Sequence, residues 1–595
     1  MEPTSDDNSS RHSVVDSLEA HNEIEPYHVH TLHSTQSQTS KASDQSKLSR
    51  YRTGQSELSR IITGIRDDQQ LDEEEDKGYR ERGDADFIMA QELDRAITRN
   101  MSRVQGTDIE GSSHESPIEK KEGEVDDYPV DGKFAWVMAI CAMLASFVTW
   151  GANAGYGVFM NFYINSGTFP EATKYDFALI GSLVMFLANF LSPYSSILLK
   201  VLGLKTIFAI GLAFQTLGWI AASFATKVWH LYLSQGLAVG ISFSFIFIPA
   251  TLALPTWFVR RKAASMGICV AGTGLGGLIF SLSVNKTIQD TGNQRWALRM
   301  VGFVTLFVVA VIVILMRPRK TYPPQPSLKQ RLTRTYITET VKVIFDFKVA
   351  RLFGIQVVAV WFALALIGYS LMLFTMSSYA TSIGLSHQQG SALTAVMNAA
   401  QLVGRPLLGF GADRIGRSNF TAIISLVIAI LLYAYWINAK TYGSLMGFAV
   451  LIGLVIGLGS TMAQPLAADV LMGNLEQLPA GWSFINIFVS FFCLVAEVIA
   501  LALVVKGASN PYLHTQIFSG TCFIACCLVM LVLREHLASK VLRLRYETAK
   551  VKLEQNKYNE DDDEEVLLER VERYEYLLRR SVIAYLSRVV YPIKV

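Results

Sequence analysis

Apolar stretches dominate the middle of this 595-residue chain and alternate with short polar connections. A helix that crosses a bilayer needs about 20 mostly apolar residues, and twelve stretches reach that length. These spans are predicted at 134–157, 177–199, 204–225, 229–254, 263–284, 296–316, 352–378, 389–411, 418–437, 442–466, 481–505 and 513–533. A polar segment with nine Lys and Arg separates the sixth span from the seventh, which is typical of two similar halves joined by a linker. The pattern predicts an all-α membrane protein with twelve transmembrane helices in two six-helix halves.

The same pattern divides the chain into five parts. They are an N-terminal tail (1–130), a six-helix half (131–316), a central loop (317–351), a second six-helix half (352–533) and a C-terminal tail (534–595). The N-terminal tail is rich in Ser, Asp, Glu, Gln and His and poor in apolar residues, so we predict disorder, with at most a transient helix within 58–99. Two interpretations of this tail stay open: a solvated segment, or a regulatory tail that is modified and binds regulatory partners.

The C-terminal tail predicts two amphipathic helices separated by an acidic run at 560–565. Its first helix is basic and begins next to the membrane. Such a helix either lies on the anionic inner leaflet of the bilayer or is solvated, and the sequence favours neither.

Charge predicts the orientation of the spans. With the N-terminus inside, the inner loops carry sixteen Lys and Arg and the outer loops carry seven. Positive charge accumulates on the cytoplasmic side of membrane proteins, so both termini and the central loop are expected there. The first 130 residues contain no apolar signal segment, and we expect the first span to direct insertion. The expected location is the plasma membrane rather than the vacuolar membrane.

Composition argues against several classes of function. Only 17% of the residues are charged, against about 25% in ordinary soluble chains, and a net charge of +2 gives no indication of nucleic-acid binding. The six cysteines lie in apolar runs without metal-ligand spacing, which predicts free buried thiols. A G-T-G-L-G-G run at 272–277 matches the dinucleotide-binding pattern in letters only, because it lies inside a predicted span and favours helix packing. We expect no enzyme activity, no cofactor and no metal.

The stretch at 397–417 carries the most specific chemistry. Arg405 lies within an apolar helix, where a lone charge is costly unless it faces a polar cavity or a partner. The helix then ends in a short charged turn with Asp413, Arg414 and Arg417. The carboxylate of Asp413 can meet a helix N-terminus or an arginine, which would form a breakable cytoplasmic gate.

This turn fits the pattern G-x-x-x-D-R-x-G-R, with Gly409 leading. It resembles the cytoplasmic-loop motif of the major facilitator superfamily, which normally follows the second and eighth spans. The turn after span 2, at 194–205, lacks the Asp-Arg pair. The run D-G-K-F-A-W at 131–136 and the stretch 257–274 resemble the two signatures of the monocarboxylate porter family within that superfamily. The runs 149–156 and 245–249 look typical of its fungal, monocarboxylate-permease-like branch.

The resemblance implies an organic-anion carrier, but two family positions differ here. The proton–lactate carriers of animals have a lysine in span 1 and an aspartate one helical turn before the span 8 arginine. Those positions correspond to Ala154 and Gln401 in this chain. Glu497, in the middle of span 11, is the candidate for proton coupling, because burial raises the pKa of a carboxyl group. Its alternative roles are a partner for Arg405 and an interhelical hydrogen bond.

We therefore predict a transporter of a small organic solute, with a midplane cavity lined by spans 1, 2, 5, 7, 8 and 11. The candidate substrate-binding residues are Asn153, Asn398, Gln401 and Arg405. The leading hypothesis is a monocarboxylate-like organic anion, carried with or without a proton. The alternatives are a neutral or vitamin-like solute, such as a riboflavin-like molecule, moved by facilitated diffusion, and a non-transporting membrane sensor. The partners expected are the solute and the lipid bilayer, and no nucleic acid.

Overall fold

The computed structural model describes residues 130–319, 326–556 except 473, 506 and 509, and 564–591 together with 593. Every regular element within these residues is a helix. The predicted disordered tail, with its transient helix within 58–99, lies outside the described residues.

The first half contains six spans. Span 1 consists of the helices Lys133–Ser146, Ala152–Ala154 and Tyr156–Ser166, with a π-helical turn at Phe147–Gly151 after the first of them. Span 2 consists of Lys174–Phe190 and Ser192–Leu202, and span 3 is Leu204–Ala222. Span 4 consists of Val228–Leu231 and Val239–Trp257, joined by a π-helical turn at Tyr232–Ala238, while span 5 is Lys262–Thr291 and span 6 is Gln294–Leu315. Single π-helical turns occur often at functional sites, and the turn in span 1 directly precedes the helix that carries Asn153.

The second half repeats this arrangement. Span 7 is Phe353–Ser382; span 8 His387–Ile415; span 9 Arg417–Ile430 with a π-helical turn at Leu431–Trp436; span 10 Tyr442–Ile456 and Leu458–Val470; span 11 Leu478–Ala502; and span 12 Leu513–Asn556. The prediction of twelve transmembrane helices in two six-helix halves is confirmed.

Span 8 differs from the other spans in its hydropathy. Ten helices of the described residues are long and apolar enough to cross a membrane, and the bent pair of span 2, broken by 49°, makes an eleventh. Span 8 has 29 residues but is not among them. The charged and amide side chains of the stretch 397–417 lower its hydropathy.

Span 5 is packed at backbone distance between span 1 and span 8. A Cβ atom on Gly276 would lie 2.7 Å from the Cα of Gly151 in span 1, and one on Gly274 would lie 2.7 Å from the carbonyl oxygen of Asn398 in span 8. Only glycine permits such close approach. The interpretation of the G-T-G-L-G-G run as a helix-packing surface is confirmed.

Hydrogen bonds between the two halves cluster toward the end of the bundle where spans 4, 8 and 10 finish, which we call the basic end. Gln464 of span 10 donates its Nε2 to the carbonyl oxygen of Thr251 in span 4 at 2.8 Å. The hydroxyls of Ser196 in span 2 and Ser483 in span 11 lie 3.3 Å apart. Each of these four residues is at most 2% exposed, so the basic end is closed in this structure.

The central loop is largely helical, with short helices at Leu328–Arg331, Arg334–Ile344 and Phe347–Ala350. Span 12 also departs from its predicted length, because it continues as one 44-residue helix through the predicted boundary at 533. Between Gly520 and Asn556 the sequence has no glycine or proline to end the helix. A loss of hydropathy therefore marks where the bilayer ends and does not mark where the helix ends.

The C-terminal tail folds back onto this long helix. Helices Glu564–Leu578 and Val582–Val590 pack against it around a small apolar core of Ala538, Leu542, Tyr574, Leu577 and Ile593. The guanidinium of Arg534 donates to Asn419 Oδ1 at 2.5 Å and to the carbonyl oxygens of Arg588 and Tyr591. The first predicted amphipathic helix is thus the continuation of span 12, and the second is divided into the two helices that pack against it.

Candidate functional site

Arg405 lies deep inside span 8, with 4% of its surface exposed. Its Nη2 donates to Gln401 Oε1 at 2.7 Å, and its Nη1 donates to the carbonyl oxygen of Val270 in span 5. Its Nε has no hydrogen-bond partner, and no described carboxylate forms an ion pair with it. Neutral oxygen atoms accept its hydrogen bonds, and they do not cancel its charge.

Three of the four predicted substrate-binding residues form one hydrogen-bonded line. Gln401 Nε2 donates to Asn398 Oδ1 at 3.3 Å, while Gln401 Oε1 accepts from Arg405. The spacing of three and four residues places the three side chains on one face of span 8. Asn398 and Gln401 are 7% and 1% exposed, so the line lies in the interior of the bundle.

The space around Arg405 depends on residues that the sequence did not single out as part of the site. A Cβ on Gly457 of span 10 would lie 2.6 Å from Arg405 Cγ, so only glycine leaves room for the arginine stem. Tyr369 of span 7 and Cys269 of span 5 lie close enough to interact electrostatically with the guanidinium. The sequence pattern does not place Gly457 near Arg405, and it does not distinguish Tyr369 from the many other aromatic residues in the spans.

Span 1 approaches this line from the other side of span 5. A Cβ on Gly277 would lie 3.0 Å from Ala154 Cβ and 3.4 Å from Asn398 Nδ2, so Ala154 and Asn398 are neighbours across a glycine. Asn153 precedes Ala154 and is half-buried, and its side chain forms no hydrogen bond with the described residues. Its role as a substrate-binding residue stays a prediction.

Glu497 lies in span 11 as predicted, but its side chain is not among the described ones. Its role in proton coupling therefore stays a prediction. The same span packs against span 2, where Asn189 Nδ2 lies 4.0 Å from Cys493 Sγ. All six cysteines are free thiols, and five of them are buried, as the sequence predicted. Within the described residues, no group of His, Cys, Asp or Glu is arranged to hold a metal ion.

Asp413 joins the two halves at the basic end. Its Oδ2 accepts from the backbone N–H of Ala264 at 2.8 Å and its Oδ1 from that of Ala263 at 3.3 Å. These are orphan donors of the first turn of span 5, and a carboxylate there also interacts favourably with the helix dipole. The structure thus shows the contact with a helix N-terminus that the sequence anticipated for Asp413.

Arg417 extends this contact into a network. Its Nε donates to Asp413 Oδ1 at 2.9 Å, its Nη1 pairs with Asp469 Oδ1 at 2.5 Å, and its Nη2 donates to the carbonyl oxygen of Arg260 at 3.4 Å. Asp469 lies at the end of span 10 and was not among the predicted gate residues. Arg414 is exposed and lies outside this network, so its role in a gate stays a prediction.

A second carboxylate holds the same loop from within the first half. Asp131 Oδ2 accepts from the N–H of Arg260 at 3.1 Å and its Oδ1 from that of Arg261 at 3.3 Å. The D-G-K-F-A-W run thereby fastens the beginning of span 1 to the connection between spans 4 and 5. Trp136 of this run also packs edge-on against Phe258 at 4.9 Å and stacks on Phe410 of span 8 at 6.0 Å.

The fold and this network can be compared with known proteins. The sequence profile of the Major Facilitator Superfamily matches residues 136–496, which is more than half of the chain. The chain belongs to the major facilitator superfamily. It is therefore a multi-pass membrane transporter of that superfamily.

Curated relatives within the superfamily are fungal transporters. The uncharacterized transporter ESBP6 of Saccharomyces cerevisiae is 41% identical over 483 residues, which are 80% of this chain and 71% of that protein. The probable transporter MCH2 of the same yeast is 31% identical over 406 residues, or 68% of this chain and 83% of that protein. Among solved structures, the superfamily transporter FucP in its outward conformation matches 66% of this chain and 98% of its own, with 15% identity and a TM-score of 0.48.

Proposed function

We propose that this transporter carries a small, monocarboxylate-like organic anion by alternating access, with its site centred on Arg405. The main support for this proposal is the buried guanidinium of Arg405, which donates hydrogen bonds to Gln401 Oε1 and to the carbonyl oxygen of Val270. Among the described side chains, which do not include that of Glu497, no carboxylate pairs with Arg405, and a buried charge without a counter-charge is costly. A bound carboxylate would supply both the missing charge and two oxygens that suit the planar fork of the guanidinium.

The neighbouring groups suit a small polar ligand. Asn398 and Gln401 form a line of amides beside Arg405, and Tyr369 adds a phenol on the span 7 side. We propose that these groups, with Asn153 from span 1, orient the anion while Arg405 holds its charge. The solute would cross unchanged, so we infer neither catalysis nor a cofactor.

Glu497 is our candidate for the proton site. Gln401 occupies the position one turn before Arg405 and does not titrate, so any coupled proton must bind elsewhere. A carboxyl group in the middle of span 11 is suited to bind and release a proton near neutral pH. Transport without proton coupling is the alternative at this step.

The gate that we propose is the network of Asp413, Arg417 and Asp469 on the first turn of span 5. It joins the halves while the basic end is closed and would break when the halves rock apart. From the charge asymmetry of the loops, we assign the basic end to the cytoplasm, with both termini there. The plasma membrane is the location that we propose. Regulatory partners on the N-terminal tail remain part of the proposal.

A neutral or vitamin-like solute is the second candidate, favoured by the amide line and by Gln401 in place of a carboxylate. Uptake into proteoliposomes separates the two. Labelled monocarboxylates and riboflavin would be offered with and without an imposed pH gradient, to wild type and to Arg405→Ala. We expect uptake of a monocarboxylate that Arg405→Ala abolishes, with accumulation driven by an inward proton gradient.

Each other outcome would change the assignment. Uptake of riboflavin alone, insensitive to the gradient, would support the neutral solute. Monocarboxylate uptake at the wild-type rate in Arg405→Ala would show that the arginine is structural. No flux of any solute offered would favour the membrane sensor.

A further inference from the structure

The turn after span 2 has the backbone form of the turn after span 8 but carries the opposite charge. Gly203 joins spans 2 and 3 with φ 87° and ψ 165°, and Gly416 joins spans 8 and 9 with φ 103° and ψ 131°. Asp413 lies three residues before Gly416, whereas Lys200 lies three residues before Gly203. A cation is unfavourable at a helix N-terminus, so this turn cannot bind span 11 as Asp413 binds span 5.

The central loop occupies the junction between spans 2 and 11, where a carboxylate contact like that of Asp413 is missing. Its helix Arg334–Ile344 packs against both Ser192–Leu202 of span 2 and span 11, and its helix Phe347–Ala350 packs against span 11. Ile344 and Val349 are each only 3% exposed. A Cβ on Gly481 of span 11 would lie 3.6 Å from Val349 Cγ1, so the loop is seated closely on the second half.

The contact with the first half includes an aromatic pair. Phe345 meets Tyr194 of span 2 edge to face, with ring centroids 6.4 Å apart and planes at 73°. The two residues are 39% and 50% exposed. Nearby, Arg331 Nη1 lies 3.5 Å from the Cβ position of Gly203. The loop therefore touches both halves beside the Ser196–Ser483 hydrogen bond.

We propose that the central loop is the second lock of the closed end and replaces the carboxylate that the span 2 turn lacks. The proposal rests on the rocking cycle proposed above. Spans 2 and 11 must separate when the basic end opens, so the loop must leave one of them. Val349, which is buried beside Gly481, keeps it on span 11, and the half-exposed pair of Phe345 and Tyr194 is the contact that breaks.

The two locks differ in their physical basis. The Asp413 network is ionic and is weakened by whatever competes for its charges. The Phe345–Tyr194 contact depends on apolar and ring–ring attraction, which salt does not screen. The closed end is thus held by one ionic and one aromatic lock, at the span 5–8 and the span 2–11 junctions respectively.

A cysteine reporter at Ser483 tests this directly. Ser483 is 2% exposed and lies at the junction that the loop covers. In full-length protein whose six native cysteines are replaced by alanine, the rate at which Ser483→Cys reacts with a maleimide reports the opening of the basic end. No solute is needed, so this result does not depend on whether the Arg405 site has been correctly identified.

Phe345→Ala should raise the labelling rate about two- to tenfold, the range that corresponds to the loss of one aromatic pair. Tyr194→Ala should have the same effect, and the double variant should add little. Phe347→Ala is the matched control, because Phe347 lies two residues away and is 73% exposed. If the alanine variant does not fold, the labelling rate is measured in Phe345→Leu, which keeps the apolar volume without the ring.

Labelling at the wild-type rate in Phe345→Ala and Tyr194→Ala would overturn the proposal. So would an equal increase in Phe347→Ala, because that would reflect a general loosening of the loop. Additive effects of the two aromatic substitutions would show that the rings act independently and do not form a lock.

Discussion

Asp131 and Asp413 bind the same short segment, 260–264, from opposite halves of the bundle. Asp131 accepts from the backbone at Arg260 and Arg261, and Asp413 accepts from Ala263 and Ala264. The first contact lies within one half and has no reason to break during rocking. It fixes the loop so that the first turn of span 5 is presented to the second, breakable contact.

Asp413→Asn should open the basic end. The amide keeps the shape of the side chain but loses the charge that meets the helix dipole and Arg417, and its NH₂ group would replace one of the two oxygens that accept from the backbone of span 5. We expect labelling of the Ser483→Cys reporter to rise roughly tenfold, which corresponds to about 1.4 kcal/mol.

Arg414→Gln is the matched control for this substitution. It removes a charge one residue away that lies outside the network, and we expect labelling at the wild-type rate. If both variants opened the basic end equally, net charge at the turn would explain the effect and the specific network would not.

Substitution of Arg405 should separate charge from geometry. We expect Arg405→Ala to lower uptake more than tenfold, since hydrogen bonds to a charged group contribute about 1.5–3 kcal/mol. Arg405→Lys should retain part of the activity, because an ammonium group keeps the charge but cannot reproduce the fork that reaches Gln401 and Val270 together. Uptake per unit of folded protein in proteoliposomes measures both variants, and equal activity of the two would argue against a role for the charge.

A carboxylate at position 401 should make transport depend on pH in a predictable direction. In Gln401→Glu the new carboxylate would pair with Arg405 above its pKa and occupy the anion site. Protonation at lower pH would release the guanidinium, so uptake should rise as the external pH falls from 7.5 to 5. Gln401→Met, which cannot titrate, is the control, and its dependence on pH should match that of wild type.

The folded-back tail should contribute to stability through Arg588. Its guanidinium pairs with Glu535 at 2.7 Å, with side chains 11% and 15% exposed, and it also donates to the carbonyl oxygen of Leu577. We expect Arg588→Ala to lower the melting temperature measurably, since a partly buried pair and its hydrogen bonds contribute about 1–3 kcal/mol.

Arg579→Ala is the control for the tail, because its pair with Glu575 is 3.9 Å long and both side chains are more than half exposed. Exposed pairs of this kind contribute about 0.3–0.5 kcal/mol. An equal loss of stability in the two variants would mean that the docked geometry of the tail does not matter.

The hydrophobic pattern was enough to predict the twelve helices, the two halves and the packing role of the glycine run. The reason is physical: length and apolar character decide which segments cross a bilayer. Arg405, Gln401 and Asn398 could be grouped from sequence because they share one helix face. Gly457, Tyr369 and Asp469 could not, since each reaches Arg405 or Arg417 from a helix distant in the chain, and tertiary packing alone brings them together.

The ends of helices were also beyond the sequence pattern. Span 12 continues to Asn556 because the helix needs only a partner for its apolar stripe, which the tail supplies once it folds back. The central loop offered a comparable difficulty. Its composition indicated a basic linker, and the burial of Ile344 and Val349 depends on a surface formed by spans 2 and 11.

The low hydropathy of span 8 has a consequence for biogenesis. A helix with a central arginine is penalised by about 2.5–3.5 kcal/mol when it is inserted alone, and this helix lacks the apolar surplus of its neighbours. We therefore expect span 8 to enter the bilayer only together with adjacent spans, and to be retained once span 5 shields Arg405. Quality control in the cell would then act on the same helix that we propose for the transport site. Variants that weaken span 5 would be lost before they reach the membrane where they could be assayed.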